Sequence, residues 1–291
     1  MTDHAKPSIT ANVDVTNPGQ FFAGCGLLEL ANRLWPGAEG WFNADGSEFH
    51  IACNGTLDEL INAFKKVEIS SSLTPDQQKR LATLLSVAKT SLTTKDLDEK
   101  KQLQAAWRIE RLCVSPPFNL WLDWWRDDQG NRTELKTWAA KQMVSEMACR
   151  MMVAIQRNLA DNPQGDGKLF HPVQDDSLPF NFDSDLCRTG NARDAGFSAD
   201  TLNLKSEYRP LLELLAFIGL QRFRPRTAEK QEHFTYCVWS VRLPVSVAGA
   251  AASGNLQLTN STQYCFKLFR RTKYMKAFLP AQPYQRSVDN V

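Results

Sequence analysis

Residues 9–34 read ITANVDVTNPGQFFAGCGLLELANRL, and the change of period inside this stretch decides the fold class. Ile9 to Val15 alternates as a strand does. Thr16-Asn17-Pro18-Gly19 is a turn that also caps a helix, since Asn accepts from the first free amides and Pro is tolerated in the first helical turn. Phe21, Phe22, Cys25, Leu27, Leu28, Leu30, Ala31 and Leu34 then surround nearly the whole helix, with Gly24 and Gly26 allowing close approach of other backbone. A helix apolar on every side must be buried. The segment therefore predicts a strand feeding a core helix that stops at Trp35-Pro36-Gly37.

Working outward, strands and helices keep interleaving. Glu48 to Cys53 reads as a strand, Asn54-Gly55-Thr56 as turn and cap, and Leu57 to Val67 as an amphipathic helix carrying Leu57, Leu60, Ile61 and Phe64. An insertion-like polar region follows at about 70–106, with helical patches at 75–89 and 95–107. Phe118 to Trp125 alternates as a strand; the turn Asp127 to Asn131 then leads into a long central helix expected over 133–159. Residues 182–198 are polar, and a loop of that length in a compact protein is usually functional or disordered. Glu207 to Leu220 reads as a nearly all-apolar helix, Phe234 to Leu243 and Gln263 to Phe269 as strands, and Val245 to Ala252 as a short helix between them. The expectation is a mixed α+β fold in one body over residues 1–291, with a helical portion and a basic C-terminal part at 205–291.

Composition narrows the class. The chain has 291 residues, 43% hydrophobic and 23% charged, enough for a substantial core. No apolar run approaches the roughly 18 to 20 residues of a membrane span, and Met1 to Pro7 is polar, so a cytoplasmic protein is expected, with no membrane partner. Seven cysteines without a CxxC or CxxH pair read as reduced thiols, and the four histidines lie far apart. Neither a metal nor a cofactor is expected. The net charge of +2 hides an asymmetry: residues 205–291 carry 13 Lys and Arg against 5 Asp and Glu, a net +8, and the remainder carries 21 against 27, a net −6. The basic end points to an anionic partner.

Two clusters carry that charge. Arg222, Arg224 and Arg226 alternate with Phe223 and Pro225, placing three guanidinium groups toward one side, as phosphate binding favours, and Arg270, Arg271, Lys273 and Lys276 follow a strand and include Tyr274, a stacking group for a base. The bland alternative is a solvated face or pairing with acidic surface. Asn17 and Gln20 offer amides that read base edges at a helix start, against a plain cap. Ser184, Arg188, Asn191 and Arg193 suit phosphate and base-edge contacts on the polar loop, against incidental polarity. No GxSxG, Walker A, GxGxxG or HExxH is present, and Asp127-Asp128 and Asp175-Asp176 sit in turns. His50 with Cys53 or Cys25 could be assembled into a nucleophilic pair, but any seven cysteines and four histidines permit as much, and the sequence does not point to an enzyme. Trp121, Trp124, Trp125 and Trp138 read as core in preference to a ligand platform.

Three strings carry a family resemblance: Val13 to Ala23 (VDVTNPGQFFA) running into Cys25 to Ala31 (CGLLELA), Leu135 to Ala139 (LKTWA), and Glu213 to Pro225 (ELLAFIGLQRFRP). Together they resemble proteins encoded with subtype I-G (formerly I-U) CRISPR systems, grouped with the Cascade large-subunit, Cas-eight-like, proteins. The resemblance implies a non-catalytic subunit of an RNA-guided surveillance complex. Its implied partners are guide RNA, target double-stranded DNA, the other Cascade subunits and a helicase-nuclease recruited in trans. It also implies recognition of the protospacer-adjacent motif, where guide pairing reads sequence and protein reads the short motif and the backbone. The chain is shorter than typical large subunits. One alternative is a guide-RNA-binding, repeat-associated subunit of ferredoxin-like fold, for which a C-terminal β-hairpin and glycine-rich loop would be expected; Gly249 and Gly254 are isolated. Another is a structural subunit that binds only protein.

Overall fold

A computed structural model describes residues 6–126, 133–139, 142–161, 169–175, 178–189, 206–228, 232–256, 258–272 and 275–284. The chain begins with β1 (Ile9–Asn12), α1 (Pro18–Leu34), β2 (Glu39–Phe42), β3 (Glu48–Ala52) and α2 (Leu57–Phe64). Next come β4 (Ile69–Ser71), α3 (Pro75–Ser86), α4 (Thr94–Arg108), β5 (Leu112–Val114), β6 (Leu120–Leu122) and α5 (Val144–Asp161). β7 (Val173–Asp175), α6 (Ser184–Thr189), β8 (Ser206–Tyr208), α7 (Pro210–Gly219) and β9 (Arg226–Thr227) follow. The chain closes with β10 (His233–Trp239), β11 (Leu243–Pro244), α8 (Val245–Ala252), β12 (Ser261–Thr272), β13 (Met275–Phe278) and β14 (Gln282–Pro283). Among the described residues the strands form four small antiparallel sheets, ordered β1-β3-β2-β11, β13-β12-β10-β9 with β14 also on β12, β4-β5-β6, and β7-β8. The fold is mixed α+β, as the alternating periods imply.

Helix α1 is the centre of the molecule, and Phe21, Phe22, Cys25, Leu27, Leu28 and Leu30 along it are all fully buried. It crosses α7 with almost no room: a Cβ on Gly26 would lie 2.1 Å from the Leu215 carbonyl oxygen, and one on Gly219 would lie 2.1 Å from that of Phe22. Only glycines permit backbones this close. Around the crossing sit two aromatic groups. Phe21 stacks on Tyr236 at 4.2 Å and on Phe42 at 5.2 Å, tying α1 to two sheets. Trp124, Trp125, Trp138, Phe180 and Phe182 gather about Phe217 of α7 and its neighbours. The polar ends of the rings are satisfied inside: Trp124 donates to the Phe217 carbonyl at 2.8 Å, Trp239 to that of Gly40 at 2.8 Å, and the Tyr236 hydroxyl to that of Val15 at 2.5 Å.

Three expectations shift. The long central helix begins at Val144 and not at 133, because Lys136 and Trp138 are drawn into the core. There the Lys136 Nζ donates to the carbonyls of Trp138 and Ala139, carbonyl groups that a helix would otherwise use. The apolar helix after Glu207 begins at Pro210, since proline holds Arg209 extended, and the residues before it pair as β8 with β7. The polar stretch from 182 starts as pinned chain: Phe180, Phe182, Asp183 and Ser184 are buried, and α6 starts at once. Val245–Ala252 is helical where expected. The polar region from 70 holds the helices α3 and α4, bridged by Arg80 to Asp96 and Glu99, both at 2.7 Å.

Candidate nucleic-acid interface

Of the cationic residues singled out in the sequence, the structure leaves some available and commits others. The alternation over 222–226 is real: Arg222, Arg224 and Arg226 face solvent while Phe223 and Pro225 are buried. Arg222 is nevertheless already engaged. Its Nε donates to Glu29 Oε2 at 2.5 Å and its Nη2 to Oε1 at 3.3 Å; Glu29 is 2% exposed and is also held by Arg33 at 3.1 Å. A carboxylate buried on α1 requires this partner, so Arg222 serves the fold. The side chains of Arg224 and Arg226 make no hydrogen bond or ion pair among the described residues.

The second cluster divides in the same way. Arg270 is paired with Glu232. Lys276 donates from Nζ to the Glu134 carbonyl at 3.1 Å, and burial, with Arg270 nearby, lowers its pKa. These two lie opposite each other in the β12–β13 register. The side chains of Arg271, Lys273 and Tyr274 lie outside the described residues, as do those of Arg188, Asn191 and Arg193. β12 and β13 pair antiparallel, and the two residues between them in sequence, Lys273 and Tyr274, include no glycine.

The N-terminal turn is a structural joint, a correction to its proposed reading role. Asn17 is 1% exposed; its Oδ1 caps α1 by accepting from Gly19 N at 3.0 Å and also accepts from Ser184 N at 3.2 Å, while its Nδ2 donates to Asp183 Oδ1 at 2.8 Å. Gln20 accepts from Asp14 N at 2.7 Å and donates to Asp185 at 3.1 Å. Ser184 is fully buried. Arg209 closes the joint on Asp183 at 2.8 Å, and Glu213, buried in the first turn of α7, accepts from Phe182 N at 3.0 Å and Asp183 N at 3.1 Å. Burial pushes the Glu213 carboxyl up to about 8. Asn17 and Ser184 are therefore buried where no base edge reaches them, while Gln20 is half-buried with its amide already bonded to Asp14 and Asp185.

What sequence reading missed lies on β12. Period two places Phe266 and Leu268 in the core and turns Lys267 and Phe269 outward, and both are exposed. The Lys267 side chain has no hydrogen bond or ion pair among the described residues. It stands opposite His233 on β10, and Arg226 on β9 stands opposite Thr235, which in turn faces Cys265 of β12. One sheet face thus carries Arg226, His233, Lys267 and Phe269, with Arg224 just before its edge strand. The available signal was the alternation within Phe266-Lys267-Leu268-Phe269, there to be read as two faces.

Chemistry of other kinds finds little in the described residues. Among them no three His, Cys, Asp or Glu side chains are grouped to hold a metal. His50 bonds Thr10 at 3.1 Å and Cys53 bonds Ser8 at 3.3 Å, while burial holds the Cys25 thiol far above its usual pKa. Glu110, its pKa raised by burial, lines a cavity with Trp107, Trp125, Arg126 and Trp138; at about 30 Å³ it has room for about two waters at most. Among the described residues no helix is long and apolar enough to cross a membrane. No protein-family model matches the chain, and comparison with curated proteins finds no match.

Proposed function

We propose that the chain is a non-catalytic subunit of an RNA-guided CRISPR surveillance complex, working in the cytoplasm and contacting guide RNA and target DNA through their backbones. In this reading the other Cascade subunits hold it in place, and a helicase-nuclease recruited in trans does the cutting. The observation that carries it is the set of exposed, unpaired cations Arg224, Arg226 and Lys267 on or beside one sheet face. Cations without partners among the described residues, on a chain that pairs Arg209, Arg222 and Arg270 with its own carboxylates, are suited to phosphate oxygens. The net +8 of residues 205–291 and the family resemblance of the three strings agree with it. With the Asn17 and Gln20 amides bonded internally and Ser184 buried, the part assigned to this chain is backbone contact, and motif recognition would fall to residues other than these three.

The test is fluorescence anisotropy of labelled oligonucleotides against salt for the purified chain and for R224A/R226A/K267A. Each lost phosphate contact lowers the slope of log K against log salt by about 0.7 on a single strand and about 0.9 on a duplex, so the triple variant should lose about 2 to 3 units of slope. An unchanged affinity and slope would remove this face from the interface and favour a subunit that binds only protein.

A further inference from the structure

We infer that the outward face of the C-terminal sheet takes an unpaired strand of nucleic acid, with one base stacked on Phe269 and the flanking phosphates on Lys267 and Arg226. This rests on the reading above and narrows it to a ligand class. Phe269 is 44% exposed toward the C-terminal end of β12, where Phe266 and Leu268 are 1% and 5% exposed, so its ring lies open beside the core. Across the sheet it faces Ala277, too small to cover the ring. Lys267 is two residues back on the same face, about 7 Å along the strand, and Arg226 lies two strands away on that face. No residue that the strand register places on this face beside Arg226, His233, Lys267 and Phe269 is acidic.

An open aromatic ring among cations is the arrangement that binds single strands, because every base has a π-face to stack and the backbone follows the charge. A duplex keeps its base faces covered by their neighbours and could engage only the cations. The ring is therefore the feature that discriminates. A guide-RNA segment and a displaced DNA strand offer the same chemistry.

The experiment measures binding of labelled 20-mers of dT, of U, of an abasic strand and of a matched duplex to the full chain, to F269A, to F269W and to R224A/R226A/K267A. The wild type should prefer the base-bearing single strands over the duplex. F269A should lose about tenfold on dT or U, within the range for one stacked base, with no change on the abasic strand or duplex. F269W should restore the loss. A stronger effect on U than on dT, or the reverse, identifies RNA or DNA as the natural strand. F269A binding dT and U as the wild type does, while the triple cation variant is weakened, overturns the stacking inference and leaves the proposed function standing. A wild type that binds none of the four overturns both.

Discussion

Replacing Gly26 by Ala puts the helix crossing to a quantitative test. The new Cβ would sit 2.1 Å from the Leu215 carbonyl oxygen, 2.8 Å from its carbon and 3.3 Å from Gly219 N. Relief requires the backbones of α1 and α7 to part by about 1 Å, since carbon–oxygen contacts below about 3 Å are repulsive. Neither helix has a free side to retreat toward, because α1 from Phe21 to Ala31 and the whole of α7 are buried. Overpacking of a tight core costs about 1–3 kcal/mol and occasionally more, and this one strains two backbones together, so about 3–5 kcal/mol is expected. Ala favours a helix over Gly by about 1 kcal/mol, leaving a net loss of about 2–4 kcal/mol. Urea unfolding followed by tryptophan fluorescence measures it. Gly24→Ala is the internal control: the three atoms nearest its Cβ all belong to the Phe49 side chain, the first at 3.2 Å, a far milder overlap than at Gly26. If G26A proves as stable as G24A, the crossing is not as tight as described.

Arg222→Met should reduce stability by about 1–2 kcal/mol, less than loss of a fully buried pair because the guanidinium is partly solvated and Arg33 remains on Glu29, and should leave the salt slope of nucleic-acid binding unchanged; a lost slope would return Arg222 to the interface. Asn17→Ala removes the cap of α1, takes one donor from Asp183 and leaves the buried Ser184 amide without its acceptor, so a loss of about 2–4 kcal/mol is expected by the same urea assay, and a loss under about 0.5 kcal/mol would contradict the joint. For Glu213 the folded carboxyl keeps its proton to about 8 while the unfolded one releases it near 4.5. The folded state therefore holds more protons between those values, and its stability falls as pH rises through that window, by up to about 1.4 kcal/mol per pH unit. Glu213→Gln cannot titrate, so its stability relative to wild type should climb from pH 5 to 8; parallel pH curves would mean the carboxyl is ionised when buried.

Much of the scaffold was legible because its cause is local. The all-round apolar α1 and the cap at Asn17 follow from residue order, and so does the short helix Val245–Ala252. What was not legible depended on partners far along the chain. Nothing near Arg222 in sequence distinguishes it from Arg224; the difference is Glu29, nearly two hundred positions away. Likewise Asn17 and Gln20 resemble free base readers until Asp183 and Asp185 come up against them. The strands β4, β5, β9, β11 and β14 have two or three residues each, too short for a period to register. Lys136 and Trp138 broke an expected helix for a reason that also lies in the packing, not in their propensity. Lys267 and Phe269 show the opposite case: an alternating pattern that the chain did display, with the outward half carrying the chemistry.

The central claim, that this is a nucleic-acid-contacting subunit of a CRISPR surveillance complex, is met most directly by coexpressing the chain with its genomic neighbours and a CRISPR array, isolating it, and identifying the bound RNA and proteins. The account predicts a guide-sized RNA and stoichiometric partner subunits, with the RNA depleted when Arg224, Arg226 and Lys267 are all replaced by alanine. A chain that purifies alone and free of nucleic acid would contradict it.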